Sequence, residues 1–254
     1  MDRQGKGGRG IGPMGRLGLG AMAALLLVLP QPMLAQRVDD TATYTVSILG
    51  LPAAQLAIAL RREGAAYAAA MQVRSAGLAG LFSRFTVDSS ARGTIRNGRW
   101  HPTRYKSTSD GERGGRGAEM VFNAGVPEII SLSADDDPTA PPVDPARQRG
   151  TVDPLTAILA VSADLPADQL CQQKVRIFDG HRVAQMVLSG PIKAGTTCRG
   201  VYQRLEGYPP EELAQRDRFD FELDYVARPE GQMRMTELRL DSLFGLARLR
   251  RIDD

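Results

Sequence analysis

The sequence predicts a mainly β fold, one antiparallel sheet with a single short helix packed on it. Three observations carry this. Turn signals recur at short intervals, among them Asn97-Gly98 and Asp179-Gly180, dipeptides suited to the two φ > 0 positions of a type I′ hairpin turn. The runs between turns alternate apolar and polar residues, most cleanly where Phe219, Phe221, Leu223 and Tyr225 interleave with Asp220, Glu222 and Asp224. A period of two is the strand period. Only one segment has convincing helix start signals: Asp153 as N-cap and Pro154 at the first helical position, with Leu155, Ile158, Leu159 and Ser162 on one face.

The chain opens with Arg3, Lys6, Arg9 and Arg16 before a charge-free apolar run at 17–29, broken by Pro30 and Pro32. That is the pattern of an exported protein's leader, residues 1–35, with Met33-Leu34-Ala35 as the cleavage site. The run is shorter than the roughly 20 residues of a membrane span. Export to the periplasm is the expectation, with 36–254 as a single mainly β domain. Four basic residues and Asp2 lie in the leader, so the +3 of the whole chain belongs to it and the remainder is formally neutral. This argues against a nucleic-acid footprint. Two cysteines in an oxidising compartment allow one intramolecular bond, and Cys171–Cys198 reads as a structural staple.

Taken in order, Tyr44, Val46 and Ile48 alternate with Thr43, Thr45 and Ser47 in a first strand. The alanine-rich stretch 54–62 suits a helix by propensity, but Leu56, Ile58 and Leu60 fall on every second residue, which favours a strand. Tyr67, Ala69, Met71 and Val73 line a third strand. Residues 77–82, including Leu78, Leu81 and Phe82, form an apolar loop, either a plug for one end of the core or a lip that meets lipid or a partner. Asn97-Gly98 then joins two strands, and Pro102 marks an edge or a bulge. Residues 134–150 are rich in Asp and Pro and read as a crossover between two halves of one sheet. Pairing Phe178 with His181 across Asp179-Gly180 puts Val175, Ile177, Ala184, Met186 and Leu188 on one face, with Lys174, Arg176, His181 and Gln185 on the other. Strands at 200–206, 219–226 and 233–240 follow. A second apolar loop, with Leu243 and Phe244, precedes an arginine-rich end.

Few residues offer chemistry. The pattern Gly10-x-Gly12-x-x-Gly15 lies in the leader with no strand before it. His101 and His181 are the only histidines, too few for a three-histidine metal site. No metal ligands, cofactor motif or catalytic residues are assigned. Asp220, Glu222 and Asp224 lie about 6.8 Å apart along one strand face; they could pair with Arg234 or Arg239, hold a divalent cation, or supply a general acid and base. The terminal Arg248, Arg250 and Arg251 could touch anionic headgroups.

Val-Asp-Pro-Leu-Thr-Ala at 152–157, Phe-Asp-Gly-His-Arg at 178–182, Cys-Arg-Gly-Val-Tyr-Gln-Arg at 198–204 and Gly-Tyr at 207–208 together resemble a family of exported bacterial proteins known as domain of unknown function 3108. Gly50-Leu51, Gly77-Leu78 and Pro102-Thr103-Arg104-Tyr105 fit the same pattern. The resemblance implies an exported, disulfide-compatible β domain of the cell envelope and carries no catalytic residues. By fold-level analogy with exported β domains of this size, the sheet is expected to be curved, a half-barrel or β-spiral. Two functions follow. The first is a noncatalytic periplasmic protein that supports the envelope and binds a lipid, acyl chain or protein partner on a concave apolar face, with at most peripheral membrane contact and Leu78, Leu81, Phe82, Leu243 and Phe244 as its lip. The second is an envelope-polymer hydrolase using a carboxylate pair, which requires two such groups about 5 to 9.5 Å apart in a cleft.

Overall fold

The computed structural model describes residues 37–77, 84–111, 115–134, 137–192 and 196–252. The leader assignment and Leu78, Leu81 and Phe82 lie outside the described residues. Seven strands come first: β1 (Arg37–Ile48), β2 (Leu51–Glu63), β3 (Ala66–Ser75), β4 (Thr86–Arg96), β5 (Arg99–Asp110), β6 (Arg116–Asn123) and β7 (Val126–Leu132). Helix α1 (Pro154–Ser162) and the two-residue β8 (Leu165–Pro166) follow, then β9 (Lys174–Phe178), β10 (Val183–Ile192) and β11 (Thr197–Glu206). Helix α2 (Pro210–Gln215), β12 (Arg218–Ala227), β13 (Gln232–Ser242) and β14 (Gly245–Arg251) complete the described chain.

All strands join one antiparallel sheet. Its order is β7-β6-β5-β4-β3-β2-β1-β14-β13-β12-β11-β10-β9, with β8 against β13. The first and last strands therefore meet in the middle, Tyr44 opposite Arg251 and Ile48 opposite Ala247. The period-two reading of β2 holds, since Ala54, Leu56, Ile58 and Leu60 are buried while the residues between them are exposed. Asn97 and Gly98 both take positive φ, 51° and 70°, and the turn pairs Arg96 with Arg99. Pro102 sits opposite Gly93 at a bulge in β4–β5. Only glycine fits at 93, because a Cβ there would lie 2.1 Å from the His101 carbonyl oxygen.

The hairpin at Asp179 requires a correction. Phe178 pairs with Val183, not with His181, so the loop has four residues and not two. Asp179 Oδ1 accepts from the His181 and Arg182 amides at 2.8 and 2.7 Å, which stabilises the longer loop; of the dipeptide only Gly180 has positive φ. The register moves by two residues. A two-residue shift preserves side-chain parity, so Val175, Ile177, Ala184, Met186 and Leu188 still share the inner face. Helix α2 was not expected; Pro210 at its start and Glu211 and Glu212 in its first turn are the signals for it.

Curvature follows from what α1 touches. The nine-residue helix contacts β4, β5, β9 and β13. Strands β5 and β9 lie ten places apart in the sheet, about 48 Å if flat, whereas a helix is roughly 10 Å across. The sheet therefore bends around α1, and the helix is apolar on more than one side, with Leu155, Ala157, Leu159, Ala160 and Val161 all buried.

Both ends of α1 are tied to the sheet. Asp153, fully buried, accepts from the Thr156 amide at 2.8 Å and from its hydroxyl at 2.6 Å, and Tyr67 of β3 donates to that hydroxyl at 2.7 Å. Tyr225 of β12 donates to the Val161 carbonyl at 2.8 Å, satisfying an orphan acceptor at the other end. Between the terminal strands β7 and β9 runs a seam. Gly150 bonds to Gly125 O, Val152 bonds to both Arg176 and Phe178 of β9, and His181 Nε2 donates to Ser133 O at 2.9 Å.

Burial pushes the Asp153 carboxyl up to about 6, from an ordinary value of 3.8. A carboxyl raised in the folded state stabilises the fold most at pH below its unfolded value, and that share is lost as pH rises through the folded one. Asp153→Asn keeps a capping oxygen without the titration. Denaturation between about pH 4 and pH 7 should show the wild type losing stability relative to Asp153→Asn, by an amount on the order of 2–3 kcal/mol; parallel profiles would contradict the assignment.

Candidate functional site

Helix α1 does not fill the space the sheet encloses. Leu155, Thr156 and Leu159 are wholly buried, with Thr156 bonded to Tyr67 of β3. Pro154, Ala157, Ile158, Val161 and Ser162, spaced as one helical face, instead line a cavity of about 360 Å³. Across it stand Tyr44, Leu56 and Ile58 of β1 and β2, Met235, Leu238 and Leu249 of β13 and β14, and Ile177, Ala184 and Met186 of β9 and β10. The wall is almost wholly apolar. Ile158, grouped by sequence with Leu155 and Leu159, is only half-buried because it faces this space.

Polar groups gather at one end, where Asp179, Arg182, Tyr202 and Tyr208 join the wall. The Tyr202 and Tyr208 hydroxyls are 3.0 Å apart. The guanidinium groups of Arg182 and Arg204 lie over the Tyr208 ring, 5.5 and 5.2 Å from its centre. Burial pushes both phenols up, so they stay neutral at physiological pH and can donate hydrogen bonds. Beyond the far end of α1, Arg234 makes a bidentate pair with Asp164, and Arg251, whose side chain is 4% exposed, lies 3.8 Å from Asp40. The arrangement is an apolar container with a hydrogen-bonding group of side chains at one end, suited to a chain with a polar head.

In an up-and-down sheet alternate turns share an end, so the β1–β2, β9–β10 and β13–β14 turns lie together. Leu243 and Phe244 occupy the last of these, the latter 75% exposed. Beside them the structure places exposed Leu49, Leu51 and Leu246, since Leu49 N–H donates to Leu246 O at 3.0 Å. Leu49 also has φ of 52°, a left-handed conformation uncommon for a bulky residue. Sequence reasoning missed it, although Leu49-Gly50 has the length of a two-residue turn. Cys171 and Cys198 are joined by a disulfide, linking the segment before β9 to β11.

The carboxylate row lies on the opposite face of β12 from Phe219, Phe221, Leu223 and Tyr225 and contributes nothing to the cavity wall. Arg239 occupies the place imagined for a cation: it bonds to Asp224, to Glu222 at 2.9 Å and to Glu237 at 2.9 Å, while Asp220 pairs with Arg218. Glu222 and Asp224 do not face each other across a cleft but share one guanidinium. Those bonds, the one donated to Asp224 foremost, hold Arg239 above the ordinary arginine value.

Fold and cavity together define a helix-centred, open β-sheet protein. The chain belongs to the family described as protein of unknown function (DUF3108), whose model matches residues 43–196, from β1 to just past β10. A search of curated proteins finds no match. Among solved structures, the chain is similar to a β-barrel-like protein of domain of unknown function DUF1849 from Brucella abortus. Identity is 9%, coverage 87% of this chain and 97% of that one, and the TM-score 0.47.

Replacing Arg239 by Met would leave three carboxylates without their shared cation. Urea denaturation should show a loss of about 1–2 kcal/mol at neutral pH that shrinks below about pH 4 as the acids are protonated. A loss independent of pH would instead assign the effect to packing of the arginine stem.

Proposed function

We propose that this protein is a noncatalytic periplasmic protein that supports the cell envelope by holding an acyl chain, or the apolar part of an envelope lipid, in the cavity beside α1. The observation that carries this reading is the unfilled apolar space of about 360 Å³ inside the sheet, a size within the range of small-molecule sites. Each buried methylene is worth about 0.8 kcal/mol, so a chain placing roughly eight there gains about 6 kcal/mol before the costs of association. Tyr202, Tyr208 and Arg182 are placed to receive the head group. The exposed Leu49, Leu51, Phe244 and Leu246 lie at the same end of the sheet and serve as a peripheral contact with the membrane surface from which the chain is drawn. The leader pattern and the disulfide are compatible with export.

The test is mass spectrometry of an organic extract of protein purified gently from its native envelope, paired with uptake of a pyrene-labelled long-chain fatty acid. A stoichiometric acyl species should be found. Ile158→Trp, which fills the cavity from the helix side, should lose both that species and probe uptake while keeping or raising the thermal midpoint. Wild-type protein that carries no acyl species and takes up no probe would overturn the reading.

The membrane contact has its own check. Asn tolerates the left-handed conformation at position 49 better than Leu, so Leu49→Asn combined with Phe244→Ser should retain or gain stability, yet sediment with phospholipid vesicles several-fold less. Unchanged sedimentation would assign those side chains a role other than membrane contact.

A further inference from the structure

A second cavity, a cleft of about 850 Å³, opens at the other end of the sheet. There the β4–β5 turn, residues 150–152 and the edge of β9 leave the seam between the terminal strands unclosed. Gln169 reaches the β4–β5 turn, its Oε1 within 2.8 Å of where a Cβ on Gly98 would lie.

The charge of this cleft departs from that of the rest of the molecule. Its wall carries Arg99, Lys174 and Arg176 and no carboxylate, in a chain whose 32 basic and 29 acidic residues nearly balance. On β13, by contrast, Arg239 holds three acids and Arg234 lies within 4 Å of two. Among the described residues neither Arg99 nor Lys174 forms an ion pair, and Arg176 meets Glu206 only at 3.3 Å. Unmatched like charges around a concavity focus a field that attracts anions.

The wall also carries side chains that suit a ligand which both donates and accepts, as a sugar hydroxyl does. Amide side chains, each with a donor and an acceptor on one carbon, recur in the wall.

We infer that this cleft is a binding site for an anionic carbohydrate, a sugar bearing a carboxylate or phosphate. It shares no lining residue with the acyl cavity, and it stands or falls independently of that reading.

Titration calorimetry on the full domain tests it, with a short oligogalacturonate as probe and a maltooligosaccharide of equal length and inorganic phosphate as comparisons. The oligogalacturonate should bind at least about tenfold more tightly than either comparison, and less tightly as salt rises. Substituting both Arg99→Gln and Lys174→Gln, at exposed positions where folding is unaffected, should weaken it roughly tenfold or more. Ile158→Trp should leave it unchanged. Failure of the oligogalacturonate to bind, equal affinity for phosphate, or indifference to the double substitution would each overturn the inference.

Discussion

The structure depends on one geometric constraint: a nine-residue helix, held at both ends by side chains from separate arms of the sheet, is the element around which a fourteen-stranded sheet must close. Tyr67 anchors its first turn through Thr156, and Tyr225 anchors its last through the Val161 carbonyl. A sheet this wide, bent until strands ten places apart both touch one helix, encloses more volume than the helix occupies. The side of α1 bearing Leu155 and Leu159 is fully buried, and the side bearing Ile158 faces open space. The cavity is thus a consequence of short helix and wide sheet, not of any special side chain.

The same constraint distributes the polar groups. Inside, they collect at the two ends of the helix: Asp153 and its hydroxyl partners at one, Asp164 with Arg234 at the other. The seam between β7 and β9 is spanned by backbone bonds from residues 150–152 and by the His181–Ser133 contact, without a further strand. A seam bridged at intervals leaves a cleft, and the polar residues of its rim differ in character from the apolar interior. Outside, the arginines that look like a basic patch in the sequence are largely consumed by carboxylates on neighbouring strands, as Arg239, Arg248 and Arg250 are by Glu237 and its neighbours.

Local patterning made much of this legible. Strand β2 is legible despite its alanine content because Leu56, Ile58 and Leu60 must share a face, and burial outweighs helix propensity when the two compete. The cap at Asp153-Pro154 marks the start of α1 to the residue. The Asp179 turn is not legible, because an Asp side chain can stabilise a longer loop by accepting amides and the dipeptide alone does not say which it will do; the inner face is the same in both registers because they differ by an even number of residues. The site was less accessible. Ile158 lines a cavity while Leu155 and Leu159 are fully buried, a difference that rests on tertiary packing and is absent from the helical pattern itself. The joining of Leu49 to Leu246 likewise depends on the first and last strands meeting in mid-sheet, a pairing no local pattern encodes.

The central claim is that the space between Ile158 and Leu238 receives an acyl chain. The most direct measurement is anomalous diffraction from crystals of the protein grown with a terminally brominated fatty acid. The account predicts a bromine peak inside the sheet, among Ile158, Val161, Met235 and Leu249, with the carboxylate toward Tyr202, Tyr208 and Arg182. A bromine found only on the outer surface, with that space still closed to the ligand at saturating concentration, would contradict it.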